Sequence, residues 1–494
     1  MVAAVRLLQF NINSAPPGSD GGQWLAFGHQ LFGGEQVKAG FQTYPPLFPF
    51  LVRLISFDDG LLTLKLLGIG SLILVCVPVY LLLRTALYPG LAAILSITIA
   101  LTPYQSEVLS FGGYPQLLGT SFLLLTIFLL LNGLNTGQRI WFLGAAMATA
   151  ATASSNVLPT VVLAMSSSLI FLMWSYKLWQ KGKPVFYARL RSAVLWWIIP
   201  SVILCLPFSG IYIAYFSSAE RSPANPQSLT LLDITHWLSS AWLWEFVLWS
   251  SIFCIAVASF LLRGRTTFSR HHILVTAAIV VLASGFMGLF ILRELRFGAY
   301  IEIGMVLIIG LLLNMLISFL SRPAVRRYLF SITLIVVIVV VSVIGGIGYR
   351  RFIIAYYWYD VVDASVFPAM EWLRDNRISG ARVAATGAYH GHNYGWWIEG
   401  YAFMPTYMAG DAFLFISAEE RNHVALAYHL LMEDISPEEI RAITKAEGIQ
   451  FFFLDKRVLP HSLDSFVKAG FVQVFNTDSI VIMSNSYSTS IQFK

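Results

Sequence analysis

Charged residues are scarce in this chain of 494 residues. Asp, Glu, Lys and Arg together make up 12% of it, whereas 57% of the residues are hydrophobic. A soluble domain could not bury so much apolar surface, and the mean hydropathy of +0.70 points the same way. The composition therefore excludes an ordinary soluble protein and predicts an integral membrane protein.

Cysteine is also rare. Cys76, Cys205 and Cys254 are the three cysteines, and each lies inside an apolar run without CxxC or CxxxC spacing. This pattern argues against a disulfide framework and against a structural zinc site. The net charge of +6 does not indicate a nucleic-acid partner, because the cations lie mostly in short loops between apolar runs.

Long apolar runs are what the sequence has in abundance. A membrane-spanning helix needs about 20 apolar residues, and we therefore predict a polytopic α-helical membrane protein with about 10–11 transmembrane helices. The candidate runs lie near residues 61–83, 88–104, 115–132, 139–153, 157–176, 190–208, 240–263, 272–292, 298–320 and 328–348.

The loops between these runs alternate in charge. Lys and Arg concentrate on the cytoplasmic side of membrane proteins, so the cation-poor loops and both ends of the chain are expected to face outward. Arg350 and Arg351 break the pattern at the outer end of the last run, where a pair of cations would suit lipid phosphates. The cation-rich loops contain Arg84, Arg139, and residues 177–191, 263–270 and 322–327.

Three regions follow from this organisation. They are an N-terminal stub with the first outward loop (1–60), a transmembrane helical domain (61–349) and a soluble extracytoplasmic α/β domain (350–494). Residues 1–12 are apolar but too short to span a bilayer, and they lack a small-residue cleavage site. We expect them to be a truncated first transmembrane helix or a shallow anchor.

The last region is richer in charge, and its apolar stretches shorten to strand length. Ser436 followed by Pro437, Glu438 and Glu439 is a strong signal for the start of a helix. The predicted strands lie at 381–387, at 449–455 and after Gly470, and the predicted helices at 364–376, 417–433 and 436–447.

Two acids stand out in the outward loops. Asp20 lies among Gly18, Gly21 and Gly22, which permit close backbone approach, and it precedes the amphipathic stretch "QWLAFGHQLF". It could cap that helix, act in catalysis, or do both. Glu107 is the only acid between Lys65 and Lys177, and it is either a solvated acid at a helix end or part of the same site.

The stretch "LRELRFGAYIEIG" places Arg293 and Arg296 at a late outer junction and Glu302 inside a predicted span. Arginine presents a planar fork that suits phosphate, but such a cluster can also lie among lipid headgroups. A carboxylate within the membrane is costly unless it has a partner, so we expect Glu302 to be paired.

In the last region, "GAYHGHNYGWWIEG" concentrates His390, His392, Trp396, Trp397 and Glu399. Two histidines and a glutamate could bind a metal ion, but a third well-spaced ligand is not evident. We favour aromatic side chains that stack on a sugar or pack this domain onto the membrane part.

These features together resemble the GT-C superfamily of membrane glycosyltransferases, which use polyprenyl-phosphate-linked donors. The similarity rests on an acid in the first outer loop, "YPPL" before the next helix, an acid in a short second loop, a late "RF" pair and "YGWWIEG" in the outer domain. The last element is similar to the paired tryptophans of the oligosaccharyltransferase catalytic subunit.

The resemblance implies roles for individual residues. Asp20 matches the acid that activates the acceptor or helps to hold a divalent metal, and Glu107 matches the second acid of that site. Arg296, with Arg293 beside it, matches the arginine that binds the donor's lipid phosphate. "SDGG" has one acid where many members have two, which leaves dependence on Mg²⁺ or Mn²⁺ open. Substrate contacts are expected from His29, Tyr44, Tyr114, His392, Trp396, Trp397 and Glu399.

The function implied is transfer of a hexose or pentose from a polyprenyl-phosphate donor to a glycan, lipid or protein acceptor, with inversion. The site would lie on the extracytoplasmic face of a prokaryotic plasma membrane. Two alternatives stay open: a transporter or flippase, whose site would lie at mid-membrane in broken helices, and a noncatalytic scaffold with an outer binding domain.

Overall fold

The structure is a computed structural model of the chain. The predicted run at 240–263, most of the run at 328–348, Arg293 and His390 lie outside the residues that it describes. The described residues are 6, 10–32, 44–56, 60–180, 183–213, 266–292, 295–319, 328, 331, 345–378, 380–387, 392–407, 418–459 and 462–485.

In the first two-thirds of the chain, the residues that the structure describes are mostly helical. Two short helices, α1 (Asp20–Leu31) and α2 (Leu47–Ile55), precede the first long apolar helix. The helices that follow are α3 (Gly60–Arg84), α4 (Pro89–Ile99), α5 (Pro103–Ser110), α6 (Tyr114–Thr136), α7 (Arg139–Ser155), α8 (Val157–Gln180), α9 (Lys183–Ile213), α10 (Thr266–Ile291), α11 (Gly298–Phe319) and α12 (345–358).

Six of the described helices are long and apolar enough to cross a membrane, or up to seven if the bent pair α4 and α5 is one span. This confirms a polytopic helical membrane protein. The run at 88–104, predicted as one span, is instead two helices that meet at 48°. Pro103 begins the second helix, and proline disfavours a helical conformation in the residue before it, which accounts for the break.

The C-terminal region contains a small mixed sheet with helices around it, as the strand-length runs predicted. Its strand order is β1-β2-β4-β3, with β1 parallel to β2 and the other pairs antiparallel. Its elements are α13 (Phe367–Asp375), β1 (Arg382–Ala385), α14 (Gly395–Tyr401), α15 (Ala418–Met432), α16 (Pro437–Glu447), β2 (Ile449–Asp455), α17 (Asp464–Lys468), β3 (Phe471–Asn476) and β4 (Ile480–Asn485).

The predicted helix start at Ser436 is confirmed. Its hydroxyl accepts a hydrogen bond from the backbone N–H of Glu439 at 3.2 Å, so it is the N-cap of α16. Gly448 ends the helix with a φ of +67°, a conformation that glycine adopts without strain. β2 follows at once and is almost entirely buried.

One hydrophobic core joins the sheet to the membrane helices. It runs without a break from Leu64 of α3 through Trp24 of α1 to Phe453 of β2, all of them buried. Because α1 lies between the two parts, its residues are held from both sides. The first loop is therefore packed in place, and with it the acid that begins α1.

Candidate functional site

The contact between α1 and α14 is made by backbone against backbone. A Cβ atom on Gly22 would lie 2.5 Å from the carbonyl group of Trp396, and one on Gly400 would lie 2.1 Å from the carbonyl oxygen of Gly22. Any larger residue would push the helices apart. Close approach was expected of the glycines around Asp20, and the structure shows that their partner is the C-terminal domain.

Asp20 is the first residue of α1, and Ser19 occupies the N-cap position. The prediction that Asp20 is itself the cap is therefore wrong by one position, although its charge still favours the helix N-terminus. Its Oδ1 accepts a hydrogen bond from the Ser19 hydroxyl at 3.1 Å. Its Cβ lies 3.2 Å from where a Cβ of Gly112 would stand, so the first and second loops touch at this point.

Two buried indoles hold the loops around Asp20. Trp24 Nε1 donates to the carbonyl oxygen of Gly112 at 2.7 Å, and Trp397 Nε1 donates to that of Gly18 at 3.0 Å. The backbone N–H of Gly18 in turn donates to the carbonyl oxygen of Tyr359 at 2.8 Å. The start of α1 is thus bound to the second loop and to the C-terminal region together.

Glu107 lies within α5 and forms an ion pair with Arg351 of α12. Its Oε2 accepts from Arg351 Nη2 at 2.9 Å and from Nε at 3.1 Å. The two side chains keep 27% and 30% of their surface exposed. Glu107 is therefore not a simple solvated acid, and Arg351 faces a carboxylate rather than only the lipid phosphates that its place in the sequence suggested.

Tyr359 marks where the charged groups converge. Burial raises the pKa of its hydroxyl to about 12, with further contributions from the negative charges of Glu107 and Asp20. Arg351 and Arg296 act in the opposite direction. Two acids and two arginines therefore lie within electrostatic reach of one phenol, and three of them, Asp20, Glu107 and Arg296, belong to the predicted site.

Glu302 is paired, as its place in a membrane helix required. Its Oε1 accepts a hydrogen bond from the backbone N–H of Tyr104 at 3.1 Å, so a carboxylate on α11 satisfies the N-terminus of α5. Gln105 Nε2 donates to the carbonyl oxygen of Ala299 at 3.2 Å in the same contact. This contact attaches the helix of Glu107 to the segment that carries Arg296.

Three predicted substrate contacts in the first two loops have packing partners. Tyr114 is fully buried, and its hydroxyl donates to the carbonyl oxygen of Pro17 at 3.3 Å, which places it in the core. The hydroxyl of Tyr44 accepts from Asn156 Nδ2 at 2.8 Å. His29 lies in the last turn of α1, where burial lowers its pKa to about 4.

In the C-terminal domain, His392 lies at the candidate site, whereas the paired tryptophans are packing residues. The His392 ring is 5.2 Å from that of Tyr359. Trp397 is 1% exposed, and Trp396 meets Phe27 of α1 edge to face at 5.2 Å. Glu399 accepts hydrogen bonds from the N–H and hydroxyl of Thr406, both within its own domain. Among the described residues of this predicted set, His392 is therefore the one whose ring lies beside Tyr359.

The predicted metal ligands are Asp20 and Glu107, and Mg²⁺ commonly binds one or two carboxylates together with substrate phosphates. Oε2 of Glu107 already faces the guanidinium of Arg351. In the part of the chain that the structure describes, no group of three or more His, Cys, Asp or Glu could hold a metal ion. The two predicted ligands, Asp20 and Glu107, supply one carboxylate each. The use of a divalent cation stays a prediction.

Arg351 and Tyr359 were not among the predicted site residues. The signal for Arg351 was present, since it breaks the positive-inside pattern. Tyr359 carries no sequence signal, because its position follows from the backbone contact with Gly18.

No protein-family model and no curated protein sequence matches this chain. Solved structures do match its fold. ArnT from Cupriavidus metallidurans bound to undecaprenyl phosphate has a TM-score of 0.58 at 12% identity, over 99% of this chain and 97% of that one. The archaeal oligosaccharyltransferase AglB from Archaeoglobus fulgidus, in complex with an inhibitory peptide and a dolichol-phosphate, has a TM-score of 0.52 at 14% identity, over 92% and 69%.

A second structure of the Archaeoglobus fulgidus enzyme, a complex with Zn and sulfate, has a TM-score of 0.54 at 14% identity. It covers 92% of this chain and 68% of the other. These neighbours are glycosyltransferases of the GT-C superfamily, so the predicted resemblance is confirmed at the level of the fold.

Proposed function

We propose that this chain is a GT-C membrane glycosyltransferase that moves a sugar from a polyprenyl-phosphate-linked donor to an acceptor. The observation that carries the proposal is the convergence of Asp20, the Glu107–Arg351 pair and Arg296 around Tyr359, on this fold. An acid and two arginines in one place supply what displacement of a lipid phosphate from an anomeric carbon requires.

Asp20 is the proposed general base. Its carboxylate accepts the proton of the acceptor hydroxyl as the new bond to the anomeric carbon forms and the bond from that carbon to the phosphate oxygen breaks. The contacts of Trp24 and Trp397 with the flanking loops hold this position. One base opposite one leaving group suits a single displacement with inversion of the anomeric centre.

Arg296 is the proposed ligand of the departing phosphate, and Arg351 lies close enough to the same phenol to share this role. A guanidinium can bind two phosphate oxygens at once, and its charge stabilises the oxyanion that forms as the sugar leaves. Glu107 then orients Arg351 through the two contacts at 2.9 and 3.1 Å. Arg293, predicted to act beside Arg296, lies outside the described residues.

We place the reaction on the extracytoplasmic face of a prokaryotic plasma membrane. Arg84 ends α3, whereas the start of that helix packs against the C-terminal domain, so a cation-rich loop and the candidate site lie at opposite ends of a span. The positive-inside rule then assigns the site to the outer face. The acceptor, which is a glycan, a lipid or a protein, meets the donor there.

The experiment is sugar transfer by the purified full-length chain, with a radiolabelled polyprenyl-phosphate sugar and a membrane acceptor fraction. Asp20→Asn should lower the rate by about 100-fold or more, because general-base catalysis contributes at least that much. Asp375→Asn is the matched control, since Asp375 is an exposed acid with 66% of its side chain accessible. Wild-type rates in Asp20→Asn would refute the role of this base. No transfer by the wild type to any acceptor would favour a transporter or a scaffold.

A further inference from the structure

A buried amide near the start of α6 has no hydrogen-bond partner in the part of the chain that the structure describes. It belongs to Gln116, which is 2% exposed, and the unpaired atom is Nε2. Buried amide groups are almost always hydrogen-bonded, because an unpaired donor away from water lowers stability. A ligand that accepts a hydrogen bond from this nitrogen would account for its position.

Gln116 lies on the face of α6 that meets α11. Thr120 follows it by four residues, and its hydroxyl lies 3.3 Å from that of Tyr300 on α11 in a hydrogen bond. Residues four apart share one face of a helix, so Gln116 precedes this contact by one turn. Arg296 precedes Tyr300 by four residues, in the short 3-10 helix that leads into α11. Gln116 and Arg296 therefore each lie one turn before the contact of Thr120 with Tyr300.

Both helices begin at the candidate site. The N-cap of α6 is Gly113, and a Cβ on its neighbour Gly112 would lie 3.2 Å from that of Asp20. Arg296, before the start of α11, lies within electrostatic reach of Tyr359. One turn toward the start of either helix is thus one turn toward the site. The amide of Gln116 therefore lies on the side of the Thr120–Tyr300 contact that faces the site.

The charges around this amide favour an anion. Gly113 has no side chain that could cap α6, and the N-terminus of a helix carries a partial positive charge. Arg296 adds a full positive charge, and the Tyr300 hydroxyl lies within its electrostatic reach. A phosphate has oxygens that can accept from an amide and from a guanidinium at the same time.

We propose that Gln116 is a further ligand of the donor lipid, and that its side-chain amide donates a hydrogen bond to a phosphate oxygen beside Arg296. The inference rests on the proposed function, because it concerns the donor of the same reaction. Gln116 binds the phosphate before and after the sugar leaves, so its contribution is to the affinity for the lipid.

The test measures binding of undecaprenyl phosphate, and of undecaprenol as the same tail without a phosphate, to the purified full-length chain in a maltoside detergent. Native mass spectrometry gives the two dissociation constants. Gln116→Met removes the N–H donors at a similar size, and Gln116→Glu keeps the shape but replaces the amide with an acceptor. Asn132→Leu is the matched control, because Asn132 is an amide on the same helix about 24 Å further along, and its Nδ2 already donates to the carbonyl oxygen of Phe128 at 2.8 Å.

We expect the wild type to bind undecaprenyl phosphate more tightly than undecaprenol. Each Gln116 variant should bind undecaprenyl phosphate about tenfold more weakly, as expected for a lost hydrogen bond to a charged group, and should bind undecaprenol as the wild type does. The control should bind both lipids as the wild type does. Unchanged affinity for undecaprenyl phosphate in either folded Gln116 variant would overturn the inference. Equal losses for the two lipids would also overturn it, because the amide would then act on the tail.

Thermal unfolding without lipid separates a ligand from a structural residue. Gln116→Met should have a Tm equal to or above that of the wild type, because it removes an unpaired buried donor. Asn132→Leu loses a hydrogen bond and should have a lower Tm. A lower Tm in Gln116→Met would show that its amide has a partner within the protein, which contradicts the inference.

The inference and the proposed function fail separately. Sugar transfer by the wild type together with unchanged lipid binding in Gln116→Met would contradict the inference alone. Binding of undecaprenyl phosphate that depends on Gln116, without sugar transfer by the wild type, would support the phosphate ligand and contradict the transferase.

Discussion

The ion pair between Glu107 and Arg351 can be tested by a double-mutant cycle with Glu107→Gln, Arg351→Gln and the double variant. Both side chains keep close to a third of their surface exposed, so solvent screens the pair. We therefore expect a coupling energy of about 1 kcal/mol, the upper end for partly exposed pairs. The double variant should therefore be destabilised by about 1 kcal/mol less than the sum of the destabilisations of the two single variants.

The same variants separate orientation from catalysis. If Arg351 stabilises the departing phosphate, Arg351→Gln should lower kcat/KM for sugar transfer by about 100-fold, as loss of one preorganised donor to an oxyanion does. Glu107→Gln should lower it less, because the guanidinium stays in place with a weaker partner. Arg350→Gln is the control, since Arg350 is exposed and adjacent in sequence.

The measurements are chemical unfolding in detergent for stability and transfer of a labelled sugar for activity. A coupling energy of zero would refute the pair as a structural interaction in solution. Wild-type kcat/KM in Arg351→Gln would refute its role at the phosphate. A larger loss of activity in Glu107→Gln than in Arg351→Gln would favour Glu107 as a ligand or base in its own right.

Three further predictions concern the packing around the site. Gly22→Ala should destabilise the chain by about 2 kcal/mol and lower its Tm, because the new Cβ would lie 2.5 Å from backbone atoms of α14, whereas Gly70→Ala, with nothing within 4 Å, should be neutral or stabilising. Trp24→Phe removes the hydrogen bond to the carbonyl of Gly112 and should cost about 1–3 kcal/mol in chemical unfolding, and an unchanged free energy of unfolding would contradict the contact. Burial raises the pKa of Asp360 from 3.8 to about 6, so folding favours its protonated form and stability falls as the pH rises between these values. Asp360→Asn should therefore raise the Tm relative to the wild type at pH 8 and not at pH 4, and an equal gain at both pH values would contradict this reasoning.

Much of the architecture was predictable because it depends on local patterns. Apolar length predicted the long helices, and the alternation of short apolar stretches with helix signals predicted the sheet and its helices. The cap at Ser436 followed from four consecutive residues. The break between α4 and α5 was missed because mean hydropathy stays high across Pro103, so composition conceals a change of direction.

Only part of the candidate site could be predicted, because local patterns identify its residues but not their partners. Asp20, Glu107 and Arg296 could be assigned to one end of the helices, since the charges of the loops decide which ends lie together. Their partners could not be assigned, because Arg351 is 244 positions from Glu107 and no local pattern joins them. Close backbone approach was predicted for the glycines around Asp20, but the sequence could not show that the partner is a helix of the C-terminal domain.

The sequence by itself determined that the chain is a helical membrane protein, and it predicted which regions share one side of the membrane and which acids and arginines act together. Hydrophobic length and loop charge are enough for these predictions, because they depend on how each segment partitions between water and the bilayer and not on contacts with particular residues. The tertiary structure alone decided that Glu107 faces Arg351, that the tryptophans of the C-terminal domain pack against α1, and that the Tyr300 hydroxyl meets Thr120 one turn from Gln116. These pairings depend on close contacts between residues far apart in the chain, which form only when the whole core is assembled.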